Sequence, residues 1–297
     1  NKRRLLMENY INSIINGDCR QVMSQLEEGS VDLIVTSPPY GVGIEYDVHD
    51  DDMLINEYLK FTEEWLTQAY RVMKDDGRIA LNIPYEINRQ DKGGRIFIVS
   101  EIWQIMKKIG FKFYGVVDLE EESPHRSRTT AWGSWMSPSA PYIYNPKECV
   151  VLAYKKTHVK KVKGQPQWVG EYDQVPDPKE PGMFRNKLVY SDTDKREFID
   201  LVFGQWKYFA DTKSLTKATF SMDIPTKAIK ILTYKNDVVL DPFAGSGTSL
   251  VAAETLDRRW IGIELSPNYC EVANSRVKPF IEGKRQQVME FNEKEGQ

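Results

Sequence analysis

The stretch Leu33–Gly43, LIVTSPPYGVG, decides how the rest of the chain is read. Residues 31–36 (VDLIVT) are mostly apolar or β-branched and read as a buried strand. The strand runs straight into Ser37-Pro38-Pro39-Tyr40. Paired prolines fix φ and remove two backbone donors. The Ser37 hydroxyl and the Pro38 carbonyl are thereby held as acceptors with no competing amides, and Tyr40 adds a flat aromatic face. A Pro-Pro turn that merely ends a strand would read the same way, so a second signal is needed.

Outward from this strand, apolar residues recur at helical spacing from Leu54 through Tyr58, Phe61, Trp65, Ala69 and Val72 to Met73. They predict a helix over 54–74, punctuated by the Asp-Asp-Gly at 75–77. A strand at 78–83 stops at Pro84, a helix over about 95–109 ends at Gly110, and strands follow at about 111–118 and 149–154. The alternation resumes with a helix near 224–234, a strand at 237–241, a helix to about 256, a strand at 259–264 and a helix over about 267–277. Alternating strands and helices predict an α/β fold, a doubly wound and mostly parallel sheet covered on both faces. Between these halves the pattern breaks. Residues 120–145 are rich in Ser, Pro, Arg and Trp, and 155–215 are polar with weak periodicity. The second stretch reads as an inserted smaller domain or a long excursion.

The second signal is Val238–Ser249, VVLDPFAGSGTS. A strand ends at Asp241, Gly245 and Gly247 occupy the turn, and Thr248 and Ser249 open a helix. Glycines let a backbone approach a ligand closely, and the helix start offers unpaired amides. No lysine follows Gly247, so this is not a P-loop, and Leu250 stands where a dinucleotide fingerprint has its third glycine. Glu264 closes the next strand, where a carboxylate reaches ribose hydroxyls at a sheet's carboxyl edge. The expected ligand contains a nucleoside but no pyrophosphate.

Composition bounds the rest. The 297 residues allow one large domain or about two, and a formal net charge of -3 argues against a uniformly basic coat without excluding a local basic face. Cys19, Cys149 and Cys270 are odd in number and far apart, so neither a disulfide framework nor a metal site is expected, and a reducing cytoplasm fits. The apolar run Leu5–Met7 is too short for a signal peptide, and no apolar stretch is long enough to span a membrane.

Taken together, Ser37–Tyr40 and Asp241–Thr248 make the chain resemble the S-adenosylmethionine-dependent amino-methyltransferases of DNA. In that family a (Ser/Asp/Asn)-Pro-Pro-(Tyr/Phe) tetrapeptide is catalytic, and Asp-Pro-Phe-Xaa-Gly-Ser-Gly-Thr forms the cofactor loop. Both match in full, and the order, catalytic motif first, resembles the circularly permuted β class. The resemblance covers about 16–156 and 218–278. It implies a methyltransferase domain in two halves, 1–156 and 218–297, with a target-recognition insertion over 157–217. It implies catalytic roles for Ser37, Pro38, Pro39 and Tyr40. It implies cofactor contacts for Asp18 and Cys19, and for Asp241, Phe243, Ala244, Gly245, Ser246, Gly247, Thr248 and Glu264. Asn16-Gly17-Asp18-Cys19 resembles the segment lining the adenine pocket, although Asp18 reads equally as a solvated turn residue.

The implied partner is double-stranded DNA, within a bacterial, cytoplasmic, nucleoid-associated modification system. A cognate restriction endonuclease and a homodimer stay open. Ring-carbon methylation would need a Pro-Cys nucleophile, but Asp18, Glu148 and Tyr269 precede the three cysteines. In the family Ser-Pro-Pro-Tyr goes mainly with cytosine N4 and Asp-Pro-Pro-Tyr mainly with adenine N6. The stretch Thr130–Tyr142, TAWGSWMSPSAPY, also resembles the cytosine branch. Cytosine N4 is therefore expected, with adenine N6 the alternative and RNA or protein glutamine further ones. For DNA contacts, Lys155–Gly164 holds five lysines, among them Lys160, Lys161 and Lys163, and Arg126 and Arg128 form a second candidate. A solvated hairpin is the plain reading of the lysines. The acidic loop Asp47–Asp52 is a candidate lid or an exposed loop. An oxidoreductase on a doubly wound sheet and a catalytically silent DNA-binding module are the competing classes, and the two intact motifs count against both.

Overall fold

A computed structural model describes residues 8–40, 54–89, 94–122, 134, 136–141, 145, 147–168, 170–180, 182–191, 195–209 and 221–295. The strands are β1 (Ser13–Asn16), β2 (Val31–Thr36), β3 (Met73–Pro84), β4 (Ile87–Arg89), β5 (Gly94–Ile96), β6 (Lys112–Glu121), β7 (Glu148–Tyr154), β8 (Gly170–Pro176), β9 (Phe184–Ser191), β10 (Gln205–Tyr208), β11 (Val238–Asp241) and β12 (Arg259–Glu264). The helices are α1 (Cys19–Gln25), α2 (Ile55–Val72), α3 (Ile98–Ile109), α4 (Lys195–Val202), α5 (Asp223–Leu232), α6 (Thr248–Thr255) and α7 (Pro267–Glu295).

Eight strands form one sheet in the order β1-β12-β11-β2-β3-β7-β6-β10. Within it, the pairings of β7 with β3 and with β6 are antiparallel and the rest are parallel. The expected mostly parallel, doubly wound sheet is therefore observed. Alternate residues feed opposite faces. Ile34, Val238 and Leu240 pack with α1, α2 and α3. Leu33, Val35 and Val239 pack with α5, α6 and Val277 of α7. Strands buried on both sides explain why 31–36 is mostly apolar or β-branched rather than alternating.

Apart from β1 and α1, which precede the first strand read from the sequence, the chain departs from that reading in four places. Asp75-Asp76-Gly77 lies inside β3 rather than in a turn, because the amides of Lys155, Lys156 and Thr157 donate to the Gly77 and Asp75 carbonyls. A small hairpin, β4–β5, precedes α3. Helix α7 runs well past 277, through Pro279. The stretch 157–217 does not stand wholly apart: β8 and β9 pair as a separate hairpin, but β10 returns to pair with β6 in the main sheet.

In this topology the chain leaves β11 toward one side of the sheet and β2 toward the other. The crevice between their carboxyl ends is a switch point, where open α/β sheets bind ligands.

Candidate active site

The carboxyl edge collects both motifs. Asn16, Thr36, Pro84, Asp241 and Glu264 each end a parallel strand there, and Glu148 joins them because β7 runs the other way, pairing Pro84 with Glu148.

Ser37 leaves β2 beside Tyr40, with 2.7 Å between Ser37 Oγ and Tyr40 Oη. Asn82 of β3 and Glu148 of β7 complete the cluster. Asn82 Nδ2 donates to Glu148 Oε2 at 2.7 Å, to Tyr40 Oη at 3.0 Å and lies 3.4 Å from Ser37 Oγ. Tyr40 Oη lies 3.5 Å from Glu148 Oε2. Three oxygens around one nitrogen set the Asn82 amide orientation, since turning it would place Oδ1 against the Glu148 carboxylate. Burial pushes the Glu148 carboxyl above the usual range, opposed by its hydrogen bonds to Asn82 and Tyr40. Neither Asn82 nor Glu148 was singled out from the sequence. The available signal was a polar residue inside the apolar run IALNIP and an acid opening the apolar run ECVVLAY.

The glycine turn lies alongside. Ala244 N–H donates to Ile263 O at 2.9 Å, which ties the turn to β12, and Gly247 N–H to Ala244 O at 2.7 Å, which folds the turn back on itself. Gly247, at φ 79°, has no room for a side chain, because a Cβ would stand 2.9 Å from Ala273 Cβ. Gly245, at φ 50°, faces space in which a Cβ would meet no atom within 4 Å. Glu264 Oε2 accepts from Gly245 N–H at 2.8 Å and Oε1 from Ser266 N–H at 2.8 Å. Phe243 is half-buried, edge-on to Trp65 at 5.2 Å and to Phe61 at 6.1 Å.

Several expected contacts face inward instead. Asp241 is fully buried, and its carboxylate accepts from Thr36 Oγ1 at 2.6 Å, from Phe243 N–H at 3.0 Å and from Ser249 Oγ. Ser246 and Thr248 are buried, and Arg276 of α7 donates to Ser246 O at 2.8 Å, Ser246 Oγ at 2.6 Å and Thr248 Oγ1 at 3.1 Å. These three side chains hold the turn; what the turn shows outward is Phe243, Gly245 and backbone. Asp18 caps α1 through Arg20 N–H at 2.8 Å and pairs with the Arg20 guanidinium at 2.6 Å, which holds its carboxyl below the usual range. Ala244 is buried, and so is Cys19.

The three described thiols are buried and unbridged. Burial pushes the Cys149 thiol up to about 12 and raises Cys19 and Cys270 as well. None is a thiolate at neutral pH, which a cysteine nucleophile would have to be.

The lysine run lies elsewhere. It follows Tyr154, which pairs with Arg78 at the far end of the β3–β7 ladder from Glu148, so it emerges toward the amino edge, about 20 Å from the carboxyl edge at roughly 3.3 Å per residue. Lys160 is only 8% exposed and pairs with Asp32 at 2.8 Å and Asp237 at 3.2 Å. The expectation that Lys160 meets phosphate is therefore corrected: its charge is committed inside the protein. Lys161 and Lys163 are exposed. Arg126, Arg128, Trp132, Trp135 and the acidic loop Asp47–Asp52 lie outside the described residues, as does most of the TAWGSW stretch. Among the described residues no helix is long and apolar enough to cross a membrane.

A family model described as DNA methylase matches residues 31–275. The type II methyltransferase M.MjaVI of Methanocaldococcus jannaschii is 39% identical over 207 residues, spanning 69% of this chain and 90% of that protein. M.BglII of Bacillus subtilis is 27% identical over 275 residues, spanning 89% and 68%. Two solved structures share the fold. A DNA modification methylase from Thermus thermophilus, complexed with S-adenosyl-L-methionine, has a TM-score of 0.63 at 22% identity and covers 91% of this chain and 95% of that one. The cytosine-N4-specific PvuII DNA methyltransferase has a TM-score of 0.62 at 17% identity, covering 88% and 84%.

Proposed function

Since the chain belongs to the DNA methylase family and carries the β-class order of motifs, we propose that it methylates the exocyclic N4 amine of a flipped cytosine in duplex DNA. It is an S-adenosyl-L-methionine-dependent DNA methyltransferase of restriction-modification type. One observation carries the reading: Ser37-Pro38-Pro39-Tyr40 and the Asp241–Thr248 turn, far apart in sequence, end adjacent strands at the switch point.

The residues present fit the cofactor. Gly245 leaves open space where a side chain would intrude. The Glu264 carboxylate stands at the end of the next strand, and the Gly245 and Ser266 amides take one acceptor site on each of its oxygens. Gly245, Phe243 and Glu264 would hold the cofactor. Bound there, it supplies an electrophilic methyl group on a sulfonium.

The protein's own residues act on the base. An exocyclic amine is a poor nucleophile because its lone pair is delocalised into the ring. Acceptors against the amine hydrogens draw the nitrogen toward tetrahedral geometry and localise that pair. Ser37 Oγ and the Pro38 carbonyl fill this role, rigid because of the prolines. The Tyr40 ring, its hydroxyl fixed by Ser37 and Asn82, offers a stationary stacking surface for an extruded base. Positioning and exclusion of water supply most of the catalysis. Serine at the first motif position favours cytosine; a hydroxyl accepts from either amine, so adenine N6 is the alternative. The hairpin β8–β9 is assigned to target recognition, with a cognate restriction endonuclease as the implied counterpart.

Transfer of tritiated methyl from S-adenosylmethionine to duplex DNA, compared with RNA and protein, tests the reading. Label is expected in DNA alone, and label confined to RNA or protein would overturn it.

A further inference from the structure

We propose that Glu148 is a positioning residue that sets the direction of the Ser37–Tyr40 hydrogen-bond chain and receives the proton released by methyl transfer. This rests on the amino-methyltransferase reading above.

Ser37 Oγ and Tyr40 Oη, 2.7 Å apart, can share their hydrogen bond in either direction. The choice matters. If Tyr40 donates to Ser37, a Ser37 lone pair is spent and the serine hydrogen is turned toward the incoming amine, donor against donor. If Ser37 donates to Tyr40, its lone pairs face the amine, with only the long 3.4 Å approach of Asn82 Nδ2 beside them. Tyr40 Oη already accepts from Asn82 Nδ2 at 3.0 Å, and both Ser37 Oγ and Glu148 Oε2, the latter at 3.5 Å, stand within reach of its own hydrogen. An ionised carboxylate has no hydrogen to donate and is the stronger acceptor. Glu148 therefore draws the tyrosine hydrogen, Tyr40 accepts from Ser37, and Ser37 presents lone pairs to the substrate. Asn82 pins the carboxylate in place at 2.7 Å.

The same chain removes the proton. As the amine nitrogen forms its bond to the methyl carbon, the carbon–sulfur pair stays on sulfur and the nitrogen is left with one hydrogen too many. That proton passes to Ser37 Oγ, the serine hydrogen to Tyr40 Oη, and the tyrosine hydrogen to Glu148 Oε2. Both hydroxyls are restored and the carboxylate ends as a carboxylic acid, to be deprotonated by solvent after product release. Burial favours this outcome, since it makes Glu148 a better base than an exposed carboxylate. Glu121 of β6 and Tyr208 of β10 also face it; the negative charge of Glu121 favours the protonated form, and burial, with Glu148 beside it, keeps the Tyr208 phenol protonated.

The test is single-turnover methyl transfer to duplex DNA across pH 5–8, for the wild type, Glu148→Gln, Glu148→Asp and Tyr40→Phe, with calorimetry of S-adenosylmethionine binding as the folding control. The wild-type rate should fall below an acidic limb as Glu148 protonates. Glu148→Gln should bind cofactor as the wild type does, transfer roughly 100-fold more slowly, and lack that limb. Tyr40→Phe, which cuts the chain in the middle, should lose the limb too, and Glu148→Asp should regain part of the rate with a displaced limb. Glu148→Gln keeping both the wild-type rate and the acidic limb would overturn the relay alone. A wild type that binds cofactor yet methylates no DNA would instead overturn the enzyme reading beneath it.

Discussion

Thr36 Oγ1 donates a 2.6 Å hydrogen bond to Asp241 Oδ1, across 205 residues of sequence. Thr36 immediately precedes Ser37–Tyr40 and Asp241 opens the glycine turn, so one buried contact ties the two motifs together. Asp241→Ala would strand three donors, Thr36 Oγ1, Ser249 Oγ and Phe243 N–H, at about 1–3 kcal/mol each when buried. A loss of at least about 3 kcal/mol in urea unfolding is expected, with weaker cofactor binding in the protein that remains folded. Unchanged stability would mean the contact is incidental.

The same carboxylate gives a pH signature. Burial pushes Asp241 up to about 6. Between about pH 4 and 6 the folded state then holds a proton that the unfolded chain has released. The group's contribution is complete below about pH 4 and is lost as pH rises through 6, by on the order of 3 kcal/mol. Asp241→Asn does not titrate. Urea melts from pH 4 to 7 should show the wild type losing ground to Asp241→Asn as pH rises; a constant difference would contradict the assignment.

Lys160 and Lys163 sit three residues apart and should behave oppositely. Lys160→Met leaves Asp32 and Asp237 short of their buried partner, a change that costs on the order of 3–5 kcal/mol. Lys163→Ala, at an exposed position, should stay within about 0.5 kcal/mol of wild type. If Lys161 and Lys163 touch phosphate, neutralising them should flatten the slope of log affinity against log salt by roughly 0.9 per lost contact. An unchanged slope would leave them as solvated surface, in keeping with their place at the amino edge.

Glu264→Ala removes a carboxylate that both braces the turn and stands where ribose hydroxyls are expected. Charge-assisted bonds of this kind contribute about 1.5–3 kcal/mol each. Calorimetry should show cofactor affinity falling by at least about tenfold in a folded protein. Wild-type affinity would remove Glu264 from the cofactor site.

Much of the fold was legible because periodicity reports burial. Strands buried on both faces show as mostly apolar runs at 31–36 and 238–241, and Trp65 and Ala69 marked the inner face of α2. Less legible were features decided by distant partners. Asp75–Gly77 looks like a turn until the 155–157 amides pair with it, and β10 is too short and polar to announce that it adds to the sheet beside β6. In the site, the motifs located the loops but not the direction of each side chain. Asp241, Ser246 and Thr248 turned inward because Thr36, Ser249 and the half-buried Arg276 offered partners. Asn82 and Glu148 went unnoticed because their meeting depends on the antiparallel register of β3 with β7.

Nucleoside analysis of the product tests the account most directly. DNA methylated by the purified protein is digested to nucleosides and resolved by mass spectrometry. The account predicts N4-methylcytosine. N6-methyladenine in its place would contradict the choice of base while leaving the Ser37–Tyr40 chemistry intact. A product of 5-methylcytosine would contradict that chemistry itself, because it requires an attacking thiolate, and the described cysteines are buried and protonated.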